Sequence, residues 1–374
     1  MRLRHGRSTP SVRGAPSPAG RRLSARWAAC AALALAVLAA AGGAGGAEPD
    51  PMNPTGDPVG GGAGYRAILP APAEPVATGD ALVAALADAR AGDVVYVADG
   101  AEIDLTGRAT IEIPAGVTLA SGRGRDGSAG ALLQTTDLGA MPLLRIGGPG
   151  VRVTGLRLRG PDPERRTDQM RRLGKEGKYY SIPNSRGIQT AHPDLEVDNC
   201  ELSGWSHAAV LLRRGAGGHV HHNHMHHNQR SGLGYGVCLD QATALVEANR
   251  FDFCRHAIAG TGRPGTGYEA RYNLVGPHAN GHSFDMHGGA DRKDGTDVAG
   301  GRILIHHNVF QAVGVPAVCI RGRPEVGAEI HHNRFYHASA EEAVRQIHAD
   351  TGLTVRANVC GRPDAAAPDE RTAP

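Results

Sequence analysis

Short runs of alternating apolar and polar residues dominate the chain, and they recur. One pattern reads V-H-H-N-H-M at Val220–Met225 and returns as I-H-H-N-V-F at Ile305–Phe310 and I-H-H-N-R-F at Ile330–Phe335. Looser copies begin at Val153, Val197, Val246, Ala270 and Val355. The fourth slot of the frame holds Leu156, Cys200, Asn223, Asn249, Asn273, Asn308, Asn333 and Asn358, at spacings of 44, 23, 26, 24, 35, 25 and 25 residues. Two slots on stand Leu158, Leu202, Met225, Phe251, Val275, Phe310, Phe335 and Cys360, a continuous apolar column. Short strands bounded by Gly, Pro, Asn and His at a period near 25 predict a solenoid. No helical pattern fits between the copies, so the coils are strands stacked on strands, a parallel β-helix. An inward Asn in each coil can pair with the Asn of the next coil and with the turn backbone, satisfying amides that would otherwise be buried and unpaired.

A second strand follows each copy: Ala209–Arg213, Val237–Asp240, Ala257–Thr261, Ser283–His287 and Ala317–Arg321. Period 2 sends Val210, Leu212, Val237, Leu239, Ile258, Phe284, Met286, Val318 and Ile320 inward. It sends Arg213, Cys238, Asp240, Asp285, His287, Cys319 and Arg321 to the outer face, with His207, Tyr235, His256 and His282 just ahead of these strands. Stacked coils make this one patch of His, Asp, Arg and Tyr. The long insertion D-P-E-R-R-T-D-Q-M-R-R-L-G-K-E-G-K-Y-Y enters the turn before the patch. N-Q-R-S-G-L-G-Y-G lengthens the same turn two coils later. Arg165, Arg166, Arg171, Arg172, Lys175 and Lys178, with Tyr179 and Tyr180, are expected to form a basic, aromatic wall suited to an anionic sugar chain.

Ahead of the repeats, Gly79–Asp80 opens an amphipathic helix with Leu82 and Leu86 on one face, followed by the strand Val94–Val97 and I-E-I-P-A-G-V-T-L-A-S-G. Such a helix covers the open end of a solenoid, whose first coil would otherwise expose its core and edge. This opening, with the Asn column, resembles the pectate-lyase-like superfamily of right-handed parallel β-helix proteins over roughly residues 79–360. The resemblance implies an all-β, single-stranded right-handed parallel β-helix with an N-terminal capping helix. The superfamily holds lyases, hydrolases, epimerases and phage adhesins, so fold alone does not choose the chemistry.

Composition changes the picture at the N-terminus. Residues 1–47 hold seven Arg, no acid and the apolar run Ala28–Ala41, the pattern of a signal peptide ending near Ala47. Arg21–Arg22 leaves both the general and the twin-arginine export routes open. The run is shorter than the roughly 20 residues of a membrane span. Residues 48–64 read as a flexible linker, 65–361 as the β-helix domain and 362–374 as a disordered tail. The whole chain carries 40 basic and 37 acidic residues, whereas the body after residue 47 carries 33 and 37. A nucleic-acid partner therefore loses its electrostatic support, and the product is expected to be a secreted monomer. The odd cysteine count of the body favours buried free thiols over a disulfide framework.

The expected chemistry is cleavage of an acidic, uronate-containing polysaccharide by β-elimination. That reaction needs positive charge beside the developing enolate, a base for the α-proton and an acid for the leaving oxygen. Arg321 and Arg213 supply charge, and His287, His282 or His256 supply base and acid. Asp285 and Asp240 orient those imidazoles or hold a Ca2+ ion. Arg213, His207, Tyr235, Lys175 and Lys178 are the expected substrate contacts. An inverting glycoside hydrolase using Asp240 and Asp285 is the alternative, although neither sits in the N-T-D or D-D motif of the polygalacturonases of that superfamily. A non-catalytic adhesin is a further one, disfavoured because Trp205 is the only Trp beyond residue 47 and aromatics total 4%. The metal requirement stays open. The columns His306/His331 and His307/His332 read as a hydrogen-bonded ladder in preference to zinc, and Asp291, Asp294 and Asp297 lack the spacing of an EF-hand loop.

Overall fold

The computed structural model describes residues 53–178 and 180–363. The expected signal peptide, Tyr179 and nearly all of the expected tail lie outside the described residues.

Among the described residues the strands form three parallel sheets, of ten, ten and nine strands. Each coil contributes one strand to each sheet in turn, as a right-handed parallel β-helix requires. The first slots of the repeat frame stack in register, Val153 on Val197, Val220, Val246, Ala270, Ile305, Ile330 and Val355. The corner between the first and second sheets is a two-residue device. Its first residue is left-handed: Asn199, His222, Ala248, Tyr272, His307, His332 and Ala357 have φ between 51° and 56°. Its second is the column residue. Asn308 donates Nδ2 to Ala270 O (2.8 Å) and to Asn333 Oδ1 (3.0 Å), while its own Oδ1 accepts from Asn273 N at 3.0 Å. The same bonds repeat from Asn223 to Asn358. The left-handed turn frees amides that no strand can pair, and the stacked amides take them up.

Inside, the apolar column from Leu158 to Phe335 is buried throughout, and Phe310 stacks on Phe335 with ring centroids 5.1 Å apart. The helix Gly79–Asp88 is N-capped by Thr78, whose hydroxyl accepts from Ala81 N, and buries Leu82 and Leu86 against the first coil. Cys200, Cys238, Cys254, Cys319 and Cys360 are free thiols, the first four buried. The His columns stack face to face between coils, His306 on His331 at 5.1 Å and His307 on His332 at 5.2 Å. The imidazoles bond to one another within each pair, Nδ1 to Nδ1 at 2.8 Å, and not along the columns as the sequence suggested, while His306 Nε2 meets Glu269 Oε1 of the neighbouring coil at 3.3 Å.

The stretch expected to be a linker behaves otherwise over residues 53–64. Gly60 N donates to Ala248 O (2.8 Å), Gly62 N to Asn199 Oδ1 (2.7 Å), and Thr55 Oγ1 meets His222 Nε2 at 3.0 Å. Tyr65 then donates to the buried Asp198 carboxylate at 2.8 Å, which Arg152 also grips. The glycines are needed here: a Cβ on Gly61 would stand 2.3 Å from His222 O, and its φ is +66°. Backbone left over at the left-handed corners finds its partners in this segment, so it is part of the folded body.

Candidate functional site

The third sheet carries the patch. Register aligns Leu211, Cys238, Ala259, Asp285 and Cys319 along one outward column. Two residues on lie Arg213 and Asp240, paired in register, and in the following coils Thr261, His287 and Arg321. At the heads of the strands Arg186, Ala208, Tyr235 and His256 align in register, with His207 and His282 just ahead of their strands.

Asp285 is the hub. It is fully buried, and Arg321 grips both oxygens, Nε to Oδ1 and Nη2 to Oδ2, each at 2.8 Å. His282 Nδ1 stands 3.2 Å from Oδ1, His287 Nε2 3.1 Å from Oδ2 and His256 Nε2 3.5 Å from Oδ2. Burial would raise this carboxyl, but hydrogen bonds from His282 and His287 outweigh it and hold Asp285 well below the usual carboxylate range. Arg321 also reaches Asp291 Oδ1 at 3.4 Å, and His287 Nδ1 lies 3.5 Å from Asp291 Oδ2. Two of the expected reacting groups therefore cannot touch a polymer. Asp285 and His256 are buried beneath the surface and position the groups above them.

His207, Tyr235, His256 and His282 form a ring column with centroids 5.6–6.0 Å apart. Burial, and then the charges of Arg186 and Arg213, push His207 down to about 3, so it is neutral at neutral pH. Its Nδ1 accepts from Arg186 Nε at 2.8 Å. Burial, and then Arg255, pushes His256 down to about 3 as well. Burial raises the Tyr235 hydroxyl, which keeps its proton.

Beside this column opens a cleft of about 380 Å3. Its walls are Tyr180, Asn184, Arg186, His207 and Tyr235 on one side and Thr261, Arg263, His287 and Asp291 on the other. The first group comes from the turn before the third sheet and from the heads of its strands. Thr261 and His287 stand at strand ends, and Arg263 and Asp291 in the loops after them. Asp240 lies nearby, held by Thr261 Oγ1 (3.0 Å), Arg263 Nη1 (3.2 Å) and Arg213 Nε (3.6 Å).

The expected basic wall is largely corrected. Residues Thr167–Lys175 of the insertion form a helix anchored by buried Met170. Arg166 pairs with Asp162, Arg171 with Asp168 and Lys178 with Glu176, while Lys175 is exposed and, like Lys178, outside the cleft lining. Among the described residues of that wall, Tyr180 alone lines the cleft. Arg186 and Arg263 were not legible in the sequence as residues of the cleft. Arg186 opens a third-sheet strand, Arg186–Thr190, hidden behind the 44-residue gap. Arg263 lies in G-T-G-R-P-G, a segment whose only sequence signal is its place after the strand His256–Gly260.

The donor set at Asp285 suits calcium poorly. Ca2+ takes six to eight oxygens, whereas here both carboxylate oxygens are bound to a guanidinium and the neighbours are imidazoles. The acidic insertion does not converge either: Asp294 binds Arg292 and Thr296, Asp297 binds Arg323, and Asp291 faces Arg321. Trp205, the one candidate aromatic platform, is fully buried with Nε1 donating to Leu158 O.

The fold is that of a right-handed parallel β-helix. It is similar to the alginate lyase from Paenibacillus sp. str. FPU-7, at 17% identity and a TM-score of 0.53 over 76% of this chain and 94% of that one. It also aligns with the Family 28 exopolygalacturonase of Yersinia enterocolitica, at 10% identity and a TM-score of 0.38 over 76% of each chain. No protein-family model matches the sequence, and no curated protein matches it either.

Proposed function

We propose that the chain is an exported enzyme that cleaves an acidic, uronate-containing polysaccharide by β-elimination in the third-sheet cleft. The observation that carries this reading is the cleft itself, where the Arg186 and Arg263 guanidiniums line a groove beside His287, an imidazole tied to a buried, ionised Asp285. Arg186 and Arg263 neutralise the substrate carboxylate, which lowers the cost of the enolate charge as the α-proton leaves. His287 Nε2 donates to Asp285, so in the neutral ring Nδ1, on the Asp291 side, accepts that proton. The imidazolium that forms is then stabilised by two carboxylates. Tyr235, whose proton burial holds in place, is the donor for the leaving oxygen. The similarity to an alginate lyase supports the fold on which this chemistry is proposed.

Hydrolysis by Asp240 and Asp285 fits less well. Inverting hydrolysis needs one protonated carboxyl and a pair roughly 6.5–9.5 Å apart. Asp285 is ionised and unreachable, and two coils plus two residues along the strand separate the backbones by about 12 Å, more than the roughly 10 Å that coil stacking alone suggests. The test is incubation of the exported protein with alginate, polygalacturonate and glycosaminoglycans. Unsaturated, ultraviolet-absorbing product ends are expected, and His287→Ala is expected to abolish them. Saturated products, lost in Asp240→Asn and kept in His287→Ala, would move the enzyme to the hydrolases.

A further inference from the structure

The second sheet carries a cluster that the elimination chemistry does not use. On its outer face, Glu201 pairs in register with His224, and His226 stands two residues further along the same strand. Period 2 puts both imidazoles on one side, with ring centroids 4.5 Å apart. One donor atom from each of the three residues lies within 4.8 Å of the others.

The spacing is informative. His226 Nε2 stands 3.5 Å from Glu201 Oε1, at the long limit of a hydrogen bond. It matches the separation of about 3.4 Å between nitrogen and oxygen ligands across a tetrahedral ion with bonds near 2.1 Å. The comparable pairs on the first sheet are closer, His219–Glu247 at 3.1 Å and His221–Glu196 at 3.2 Å, the contacts of ordinary paired groups. His226 is also oriented for ligation. Its Nδ1 meets His227 Nδ1 at 2.8 Å, which leaves Nε2 turned toward Glu201.

We propose that Glu201, His224 and His226 bind a divalent late-transition-metal ion of the zinc class. Two imidazoles and one carboxylate suit such an ion better than calcium or magnesium. The ion would clip two adjacent coils together, so its role is structural. Arg123 and Arg250 flank the cluster and oppose a cation, which makes the site weaker than a buried enzyme zinc site.

The test uses tag-free, metal-stripped protein titrated with Zn2+ by calorimetry, and with Co2+ followed by its visible spectrum. One saturable Zn2+ per chain is expected, with a raised melting midpoint. His226→Ala, His224→Ala and the near-isosteric Glu201→Gln are each expected to weaken binding by about tenfold or more and to remove the thermal gain. His331→Ala and His287→Ala should bind as the native chain does. Circular dichroism checks folding, and Glu201→Gln decides the matter if a histidine variant does not fold. Binding unchanged in the folded cluster variants, or no saturable binding by the native chain, would overturn the proposal.

Discussion

Asn308 shows how much one residue carries. It satisfies three backbone groups and pairs with two neighbouring side-chain amides in a fully buried corner. Asn308→Leu removes the donor and acceptor together but leaves Asn273 N and Ala270 O without their partner, a cost of about 1–3 kcal/mol. A urea midpoint equal to that of the native chain would show that the corner repairs itself with water. Asp285→Asn tests the hub. Arg321 would keep Asp291 at 3.4 Å but lose its nearer, buried counter-charge, and breaking a buried ion pair costs roughly 3–5 kcal/mol. The variant should melt lower and lose turnover with little change in KM, because His287 loses the partner that fixes its tautomer. Both residues were legible, Asn308 from its column and Asp285 from strand alternation. That Asp285 is buried and unreachable was not legible. Period 2 says which way a side chain leaves the sheet, and it is silent on what covers it afterwards.

At the scale of elements, the sequence was readable wherever a coil repeats and unreadable where it does not. Every repeat frame from Val153 to Val355 stacks in register, since one-residue slips would turn the apolar column out to water. The strand Arg186–Thr190 escaped because its coil is split by the insertion, so Arg186 was lost with it. The insertion helix escaped because its basic residues read as a wall, whereas Arg166, Arg171 and Lys178 face acids of the same segment. The segment 53–66 escaped for a different reason. Its Gly and Pro content is that of a linker, but its glycines serve close backbone approach at the left-handed corners. Gly61→Ala is therefore expected to undock it, since the added carbon meets His222 O and the φ is costly for alanine. Limited proteolysis should then cut the variant between residues 53 and 66 well before the native chain. Equal cutting rates would mean that the segment is held by Tyr65 and Asp198 alone.

For the molecule as a whole, acid should be the weakness. His207 and His256 are buried and neutral, with folded values of about 3 against an ordinary value near 6.5. Below pH 6.5 the unfolded chain takes up protons at these rings and the folded chain does not, so stability falls as pH drops from 6.5 toward 3. Each ring contributes a slope of up to about 1.4 kcal/mol per pH unit. The depressed carboxyls act in a lower window. Glu247, which burial raises but His219 and Arg271 bring down to about 2, contributes stability that is present above its unfolded value and lost as pH falls toward 2. Asp285 behaves in the same sense. Histidine losses thus come first, between neutrality and pH 4, and carboxylate losses follow. The urea midpoint should decline steadily from pH 7 to pH 4. In His207→Gln and His256→Gln, whose side chains do not titrate, that decline should flatten. A midpoint level from pH 7 to pH 4 in the native chain would mean that acid opens the third-sheet face to water without unfolding the solenoid. The ring column would then be a mobile surface of the cleft instead of part of its packed wall.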